Sequence, residues 1–302
     1  MDIKQFLQKP EIQDLLAAED LDTIYEKFDI ENRRYLTRFF LDNNIEPLNY
    51  MSKIFNQMYY KLDITSISIP NHITSIGNTA FAWCEGLTKA TIGNNVTSIG
   101  GSAFWGCENL TSVTIGNNVT SIGWKVFYYC KNLKSITIPD SVISIDEEAF
   151  YGCRSLTSVH ITDLAAWCNI NFDTIFSNPL SCAGKLYINK KLDTDITIPN
   201  SVKSIGNYAF SGCSSLTSIT IPASVTSIGD RSFSYCSNLT NINIGNNVAR
   251  IEKEAFFGCN SLNIIKYIGT KDEWKNIKKS PKWRTYSEIK EIHCSDGIIK
   301  LR

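Results

Sequence analysis

The side chains best suited to chemistry in this 302-residue sequence are three histidines and ten cysteines. His160 and Cys168 lie near each other in the sequence and could form a nucleophilic pair, in which the imidazole would deprotonate the thiol. We expect His160 on the face of a strand and Cys168 in a short helix, and no motif surrounds either residue. His72 and His293 lie far from both. The sequence therefore predicts a protein without catalytic activity.

Seven of the cysteines follow a fixed spacing rather than the clustering that a metal site requires. They recur every 23 residues in two runs, each three residues after a phenylalanine: Cys84, Cys107, Cys130 and Cys153, then Cys213, Cys236 and Cys259. This spacing predicts a line of thiols, one per repeat, and free buried cysteines rather than disulfides. The sequence contains no Cys-x-x-Cys pair and no glycine-rich phosphate loop, so we expect neither a metal nor a cofactor.

A period of 23 residues is typical of a solenoid, in which a short supersecondary unit stacks on copies of itself. Each unit contains the string Leu-x-x-Ile-x-Ile, as in residues 216–221, which indicates a short strand with alternate residues pointing inward. A proline or glycine follows and ends the strand, as at Pro222. An Ala-Phe-x-x-Cys segment then completes the unit. One unit cannot bury these apolar residues by itself, so we expect each coil to cover the next.

This pattern closely resembles the BspA-like subfamily of leucine-rich repeats. Residues 205–222 read Ile-Gly-Asn-Tyr-Ala-Phe-Ser-Gly-Cys-Ser-Ser-Leu-Thr-Ser-Ile-Thr-Ile-Pro and match the family consensus almost letter for letter. The resemblance covers about residues 62–302. It implies a curved leucine-rich-repeat solenoid, mainly β with turns, with a parallel strand sheet on one face. It also implies a binding role, since members of the family are commonly adhesins that hold proteins of a host or of other cells.

The chain is expected to divide into a small helical N-terminal domain at 1–60 and the solenoid at 61–302. Apolar residues at helical spacing predict three helices in the first segment, which would cap the first coil or dock on a partner. An irregular insert at 162–192 interrupts the repeat, and its Asp-Leu-Ala-Ala-Trp string predicts a short capped helix. Degenerate units at 267–302 would cap the other end of the solenoid, with a helix beginning at the capping box Thr270–Glu273.

The bulk composition argues against nucleic acid and membranes as partners. Lysine and arginine number 30, as do aspartate and glutamate, so the formal net charge is zero and no basic surface for a phosphate backbone is indicated. No stretch approaches the roughly 18 apolar residues of a membrane span, and the first residues do not resemble a signal peptide. We therefore expect a cytoplasmic protein without membrane insertion, with export by a non-classical route as the alternative.

Strand positions that point away from the core form the surface on which a solenoid binds its partner. Serine and threonine occupy most of them, and the predicted partner-binding residues are among the exceptions: His160, Lys185, Tyr187, Asp195, Asn241 and Asn243. The first four are expected to come from consecutive coils about 4.8 Å apart. A tyrosine beside charged groups is typical of an interface hot spot. Variation at an irregular coil would give the same exceptions.

The sequence therefore predicts a non-catalytic module that binds a protein partner through the strand face. Two alternatives fit the same residues: an adhesin-like surface protein that binds host or partner-cell proteins, and a structural component of a larger assembly, such as a phage particle. A second candidate surface lies beside the Ala-Phe-x-x-Cys segments and comprises Trp83, Trp105, Trp124, Tyr128, Tyr129 and Tyr151. These rings would form an interaction patch, pack on their own coils or receive the N-terminal helices.

Overall fold

The computed structural model describes residues 65–69 and 73–301. The helical domain expected at 1–60 lies outside the described residues. Within them the chain forms 22 short strands, three short helices and many turns, so this part of the protein is mostly β. None of the described helices is long and apolar enough to cross a membrane.

The long strands come from the Leu-x-x-Ile-x-Ile strings and pair mostly in parallel, as the repeat predicts. A seven-stranded sheet contains β1 (Ser66–Ser68), β3 (Lys89–Thr91), β5 (Ser112–Thr114), β7 (Ser135–Thr137), β9 (Ser158–Ile161), β11 (Leu186–Ile188) and β12 (Lys191–Leu192). A six-stranded sheet contains β13 (Asp195–Thr197), β15 (Ser218–Ile221), β17 (Asn241–Ile244), β19 (Ile264–Tyr267), β21 (Glu291–Cys294) and β22 (Gly297–Lys300). We use the term strand face for the outward side chains of these two sheets.

A second set of short parallel strands runs along another side of each coil. One sheet contains β2 (Ser75–Ile76), β4 (Ser98–Ile99), β6 (Ser121–Ile122), β8 (Ser144–Ile145) and β10 (Asn171–Phe172), and the other contains β14 (Ser204–Ile205), β16 (Ser227–Ile228), β18 (Arg250–Ile251) and β20 (Lys278–Lys279). The isoleucines of these strands are buried. The expectation of strands on one face is therefore incomplete, because the Ser-Ile pairs also recur in register and form a ladder of their own.

The core is a stack of identical side chains. Phenylalanine rings of successive coils have centroids 5.2 to 5.6 Å apart, first in the series Phe81, Phe104, Phe127, Phe150 and then in the series Phe210, Phe233, Phe256. The seven cysteines of the repeat are buried free thiols. Most donate to the phenylalanine carbonyl of the preceding coil, as Cys130 Sγ does to Phe104 at 3.2 Å. The structure thus confirms the row of stacked phenylalanines.

Each Ala-Phe-x-x-Cys turn has a left-handed residue directly before its cysteine, and large and small side chains alternate there. Aromatic residues with φ between 57° and 59° occupy some coils, at Trp83, Tyr129 and Tyr235, and glycines occupy the others, at Gly106, Gly152, Gly212 and Gly258. A Cβ on Gly152 would lie 2.7 Å from Cδ1 of Tyr129, and one on Gly106 would lie 2.6 Å from Cε3 of Trp83. The ring of one coil therefore covers the turn of the next and leaves room only for glycine.

Gly152→Ala is expected to lower the free energy of unfolding by about 2 kcal/mol or more, because alanine is disfavoured at positive φ and its methyl group collides with a packed ring. Urea unfolding followed by circular dichroism measures the change. In a Tyr129→Ala background the collision is removed, so the double variant should lose less stability than the two single losses combined. Equal effects of Gly152→Ala with and without the Tyr129 ring would contradict this explanation.

Residues 162–192 depart from the repeat and connect the first pair of sheets to the second pair. They contain α1 (Leu164–Cys168), β10, α2 (Leu180–Ala183) and the antiparallel hairpin β11–β12. The carboxylate of Asp163 accepts hydrogen bonds from two backbone N–H groups in the first turn of α1, which confirms the capped helix expected there. Because of the hairpin, β12 pairs with β11 and β13 begins a separate sheet.

The insert keeps features of the repeat that its sequence does not show. Cys182 donates its S–H to the carbonyl of Phe150 at 3.4 Å, just as Cys153 donates to the carbonyl of Phe127 at 3.2 Å. Residues 162–182 contain no Phe-x-x-Cys string, yet the thiol of Cys182 takes the place of a repeat thiol. The reason is that stacking fixes where the thiol lies and tolerates a longer connection between successive cysteines.

Two buried side chains of the insert bind the first turn of the second half of the solenoid. Trp167 Nε1–H donates to the carbonyl of Ala209 at 2.8 Å. The Nδ2 group of Asn178 donates to the carbonyls of Tyr208 and Ala209 at 2.7 and 3.0 Å, and its Oδ1 accepts from the N–H of Leu180 at 2.9 Å. The strand pairing of the seven- and five-stranded sheets ends here, and that of the six- and four-stranded sheets has not yet begun. The bonds of Trp167 and Asn178 connect the two halves at this point.

Asn178→Ala removes three hydrogen bonds and leaves the buried N–H of Leu180 without its partner, so we expect a loss of about 3 kcal/mol in the free energy of unfolding. Urea titration of the purified protein measures it. The matched control is Asn171→Ala, where an exposed amide donates to Asp173, and its effect should stay below about 0.5 kcal/mol. Comparable losses in the two variants would show that the Asn178 bonds do not stabilise the junction.

The C-terminal residues cover the end of the second half. α3 (Lys271–Asn276) has Thr270 as its N-cap, and the reciprocal bonds between Thr270 and Glu273 form the capping box predicted from the sequence. The rings of Trp274 and Trp283 are buried and contact Tyr267 and Phe256, respectively. The antiparallel hairpin β21–β22 then forms the edge of the six-stranded sheet.

Candidate functional site: the strand face

His160 and Tyr187 lie side by side on the strand face of the first half. In the register of β9 and β11 the two residues are partners, and their rings stack with centroids 4.7 Å apart and 26° between the planes. Lys185 lies directly before β11 and is exposed. Three of the predicted site residues are thus brought together, because neighbouring parallel strands place equal repeat positions side by side.

The stacked imidazole is partly removed from water. Both rings are half-buried, and His160 Nε2 lies 3.1 Å from Oγ of Ser158 on the same strand. Burial lowers the pKa of the His160 imidazole from its ordinary value of 6.5. The ring is therefore neutral at pH 7 and has one nitrogen that donates and one that accepts a hydrogen bond.

Asp195, Asn241 and Asn243 do not join this group. Asp195 begins β13 in the second sheet, so the expectation that it comes from the coil next to Tyr187 is wrong. The reason is the tight turn after β11, which reverses the chain into β12 before the parallel stacking resumes. Asn241 and Asn243 lie on β17, where Nδ2 of Asn243 donates to Oγ1 of Thr220 at 3.2 Å.

Two shallow depressions open on the strand face, one in each half. The first, the His160 pocket, is lined by Ile161 and by the polar residues Ser135, Thr137, His160, Thr162, Asn189 and Lys190. The second, the His293 pocket, is lined by Ile242, Ile264 and the polar residues Thr240, Asn241, Ser261, Asn263, Lys266 and His293. The sequence did not single out Asn189, Lys190, Lys266 or His293 as site residues. For Asn189 and Lys190, the two-residue Asn-Lys turn after a strand was the available signal.

Cys168 lies in the core and not on the face that carries His160. Its side chain is fully buried, and burial, with a smaller contribution from Asp163, raises the pKa of the thiol to about 12. A nucleophilic cysteine needs the opposite, a lowered pKa and access to substrate. In the part of the chain that the structure describes, no group of three or more histidine, cysteine, aspartate or glutamate side chains is placed to hold a metal ion.

The aromatic turn edge is the second candidate surface. Its rings contact one another from coil to coil with centroids 4.9 to 6.0 Å apart, in the order Trp83, Trp105, Tyr128, Tyr151, Phe176. Lys125 Nζ lies 5.2 Å from the centroid of Tyr128 and pairs with Glu148 at 3.3 Å. Trp124 is 47% exposed, whereas most of the other rings are half-buried. The rings thus pack mainly on one another and on adjacent coils.

The sequence profile described as "BspA type Leucine rich repeat region" matches residues 52–178 and 184–301, in six copies. The chain belongs to this family. The BspA-type match covers both halves of the solenoid, and the short gap in it falls on α2 of the insert. The resemblance inferred from the sequence is therefore confirmed.

Several solved structures are similar to this BspA-type chain at low identity. The leucine rich repeat protein of T. pallidum is 22% identical, over 66% of this chain and 78% of that chain, with a TM-score of 0.33. A leucine rich cell surface protein from Faecalibacterium prausnitzii A2-165 is 24% identical, over 72% and 83%, with a TM-score of 0.33. The pneumococcal vaccine antigen PcpA is 20% identical, over 79% and 71%, with a TM-score of 0.46. None of the curated proteins compared with the sequence matches it.

The pKa of His160 is expected to lie below 6.5 in the folded BspA-type chain, and Tyr187→Ala should raise it, because loss of the stacked ring exposes the imidazole to water. NMR titration of the labelled histidine ring measures both values. Since folding favours the neutral ring, its contribution to stability is lost as the pH falls from 6.5 through the folded pKa. An identical His160 titration in the two proteins would contradict the role of Tyr187.

Proposed function

We propose that this BspA-type chain is a non-catalytic interaction module that binds a protein partner through the strand face. The observation that carries the proposal is the stacked pair of His160 and Tyr187, which lies on a face otherwise made largely of serine and threonine. The family supports it, because a solenoid buries its apolar residues between coils and leaves long outer surfaces for binding.

The stacked pair suits a protein interface for physical reasons. Tyrosine combines a large apolar ring with a hydroxyl group, and such residues are enriched at interface hot spots. The ring of Tyr187 is already held against His160 at a centroid distance of 4.7 Å. Little side-chain freedom is therefore lost when a partner covers it, and a preorganised contact binds more tightly than a mobile one.

The aromatic turn edge is the alternative surface for a partner. Its most exposed indole, Trp124, lies directly over Gly101, where a Cβ would collide with the ring. Packing over the neighbouring coil accounts for this arrangement without a partner. We therefore assign binding to the strand face and use the turn edge as the comparison surface in the test.

The test places a photo-crosslinking amino acid in the full chain, either at Thr114 on the strand face or at Lys203 beside the short strand β14. Both positions are exposed. A partner protein from the native cells should crosslink to position 114 and not to position 203. Tyr187→Ala should weaken this crosslink about ten-fold or more, as loss of a hot-spot tyrosine does, while Trp124→Ser should leave it intact.

Circular dichroism of each variant confirms that the solenoid remains folded. A crosslink that forms from position 203 would contradict the strand face as the binding surface. So would a crosslink that survives Tyr187→Ala but is lost in Trp124→Ser, and this second result would assign binding to the aromatic turn edge.

A further inference from the structure

We propose that the His160 pocket receives a carboxylate side chain of the partner, so that the partner presents an acidic segment to the strand face. The inference rests on the proposed function and specifies the chemistry of the same face. Most polar side chains of the lining can donate a hydrogen bond to a carboxylate: the hydroxyls of Ser135 and Thr137, the imidazole of His160, the amide of Asn189 and the ammonium of Lys190, whereas the hydroxyl of Thr162 already donates to Asp140. No residue of the lining is acidic, so a carboxylate complements it.

The β11–β12 hairpin holds Lys190 at this pocket in an unfavourable backbone conformation. Asn189 and Lys190 form its two-residue turn and have φ values of 49° and 68°. These are the left-handed values of a type I′ turn, whose second position favours glycine. A lysine there costs about 1 kcal/mol. The N–H of Asn189 donates to the carbonyl of Ile161 at 3.0 Å and fixes the turn against β9. The chain thus keeps a cationic side chain where the backbone favours glycine.

The positive charge of the hairpin is not neutralised within the described part of the chain. Lys185, Lys190 and Lys191 form no ion pair with any described residue. Some lysines on other coils do have partners, as Lys131 pairs with Glu108 at 2.6 Å and Lys125 with Glu148 at 3.3 Å. The hairpin therefore attracts an anionic group from outside the described part of the chain, and an unpaired exposed lysine loses little hydration when it binds one.

The acidic residues close to the pocket in the sequence do not fill this role. Asp140 accepts hydrogen bonds from Oγ1 of Thr162 at 2.6 Å and from the N–H of Asp163 at 3.0 Å, so its carboxylate is already engaged. Asp193 and Asp195 follow β12 and lead into the second half of the solenoid. The hairpin lysines therefore remain available to an acidic segment of the partner.

The His293 pocket shows an arrangement in which the imidazole has its own carboxylate. There Nε2 of His293 lies 2.8 Å from Oε2 of Glu291, and Lys266 is beside His293 in the register of β19 and β21. In the His160 pocket, Nε2 of His160 instead lies 3.1 Å from the hydroxyl of Ser158. The two pockets share an imidazole next to a lysine, and the first has room for the carboxylate that the second obtains from its own strand.

A carboxylate in the His160 pocket also couples binding to protonation of the imidazole. The titratable groups that face this ring are Tyr187 on β11 and Lys190 in the turn, and β7 presents the hydroxyls of Ser135 and Thr137. Burial lowers the pKa of His160 in the free protein, whereas a bound anion raises it. Affinity should therefore increase as the pH falls from about 7.5 to about 6, where glutamate remains ionised.

The isotope-labelled full chain is titrated with a terminally blocked Gly-Glu-Glu-Glu-Glu-Gly peptide and, separately, with the same peptide in which glutamine replaces each glutamate. NMR follows both titrations at about pH 7.5 and at about pH 6. The glutamate peptide should shift the resonances of His160 and Asn189 and raise the pKa of His160. Lys190→Ala should weaken its binding about three-fold, as loss of one exposed ion pair does. The matched control Lys203→Ala should bind as the unchanged protein does.

The inference is overturned if the glutamine peptide shifts the same resonances equally, if the glutamate peptide shifts neither, or if Lys203→Ala weakens binding as much as Lys190→Ala. A Tyr187-dependent crosslink at position 114 together with any of these results would leave the proposed function standing without the acidic partner. Binding of the glutamate peptide without such a crosslink would instead overturn the proposed function alone.

Discussion

The structure depends on one constraint, which is that each coil must place the same group directly over its counterpart in the coil before it. In the core the phenylalanine rings satisfy it with centroids 5.2 to 5.6 Å apart. The thiols satisfy it through bonds to the carbonyls of the preceding coil. A coil has no core of its own, so its apolar residues are buried only by its neighbours.

The same constraint decides what the outside of the solenoid can carry. A turn with an aromatic ring before its cysteine is followed by a turn with glycine, because Tyr129 covers the space that a side chain on Gly152 would need. On the strand face it brings His160 and Tyr187 into a stack, although no motif links them in the sequence. Sites on a solenoid are therefore assembled across coils, from residues about one repeat apart.

The proposed site lies where this constraint is relaxed. The insert ends the first pair of sheets, and Trp167 and Asn178 then bind the turn of the next coil so that stacking can resume. A regular coil would continue from its strand into a proline or glycine turn. The β11–β12 hairpin carries Asn189 and Lys190 there instead, beside the imidazole of His160. The irregular coil thus provides chemical groups that the serine and threonine of the regular coils do not.

The sequence by itself determined the repeat, the buried phenylalanines and cysteines, both capped helices and the position of His160, Lys185 and Tyr187 on the outer face. A fixed period with alternating apolar residues specifies which equal positions meet. The two capped helices follow instead from local capping residues, Asp163 and the pair Thr270 and Glu273. Only the tertiary structure decided the second set of strands, the separation of Asp195 from Tyr187 and the approach of Lys190 to His160. The last two depend on the reversal of the chain at the two-residue turn Asn189–Lys190. Such a turn brings together residues that hold different positions in the repeat, and the repeat period does not indicate contacts of this kind.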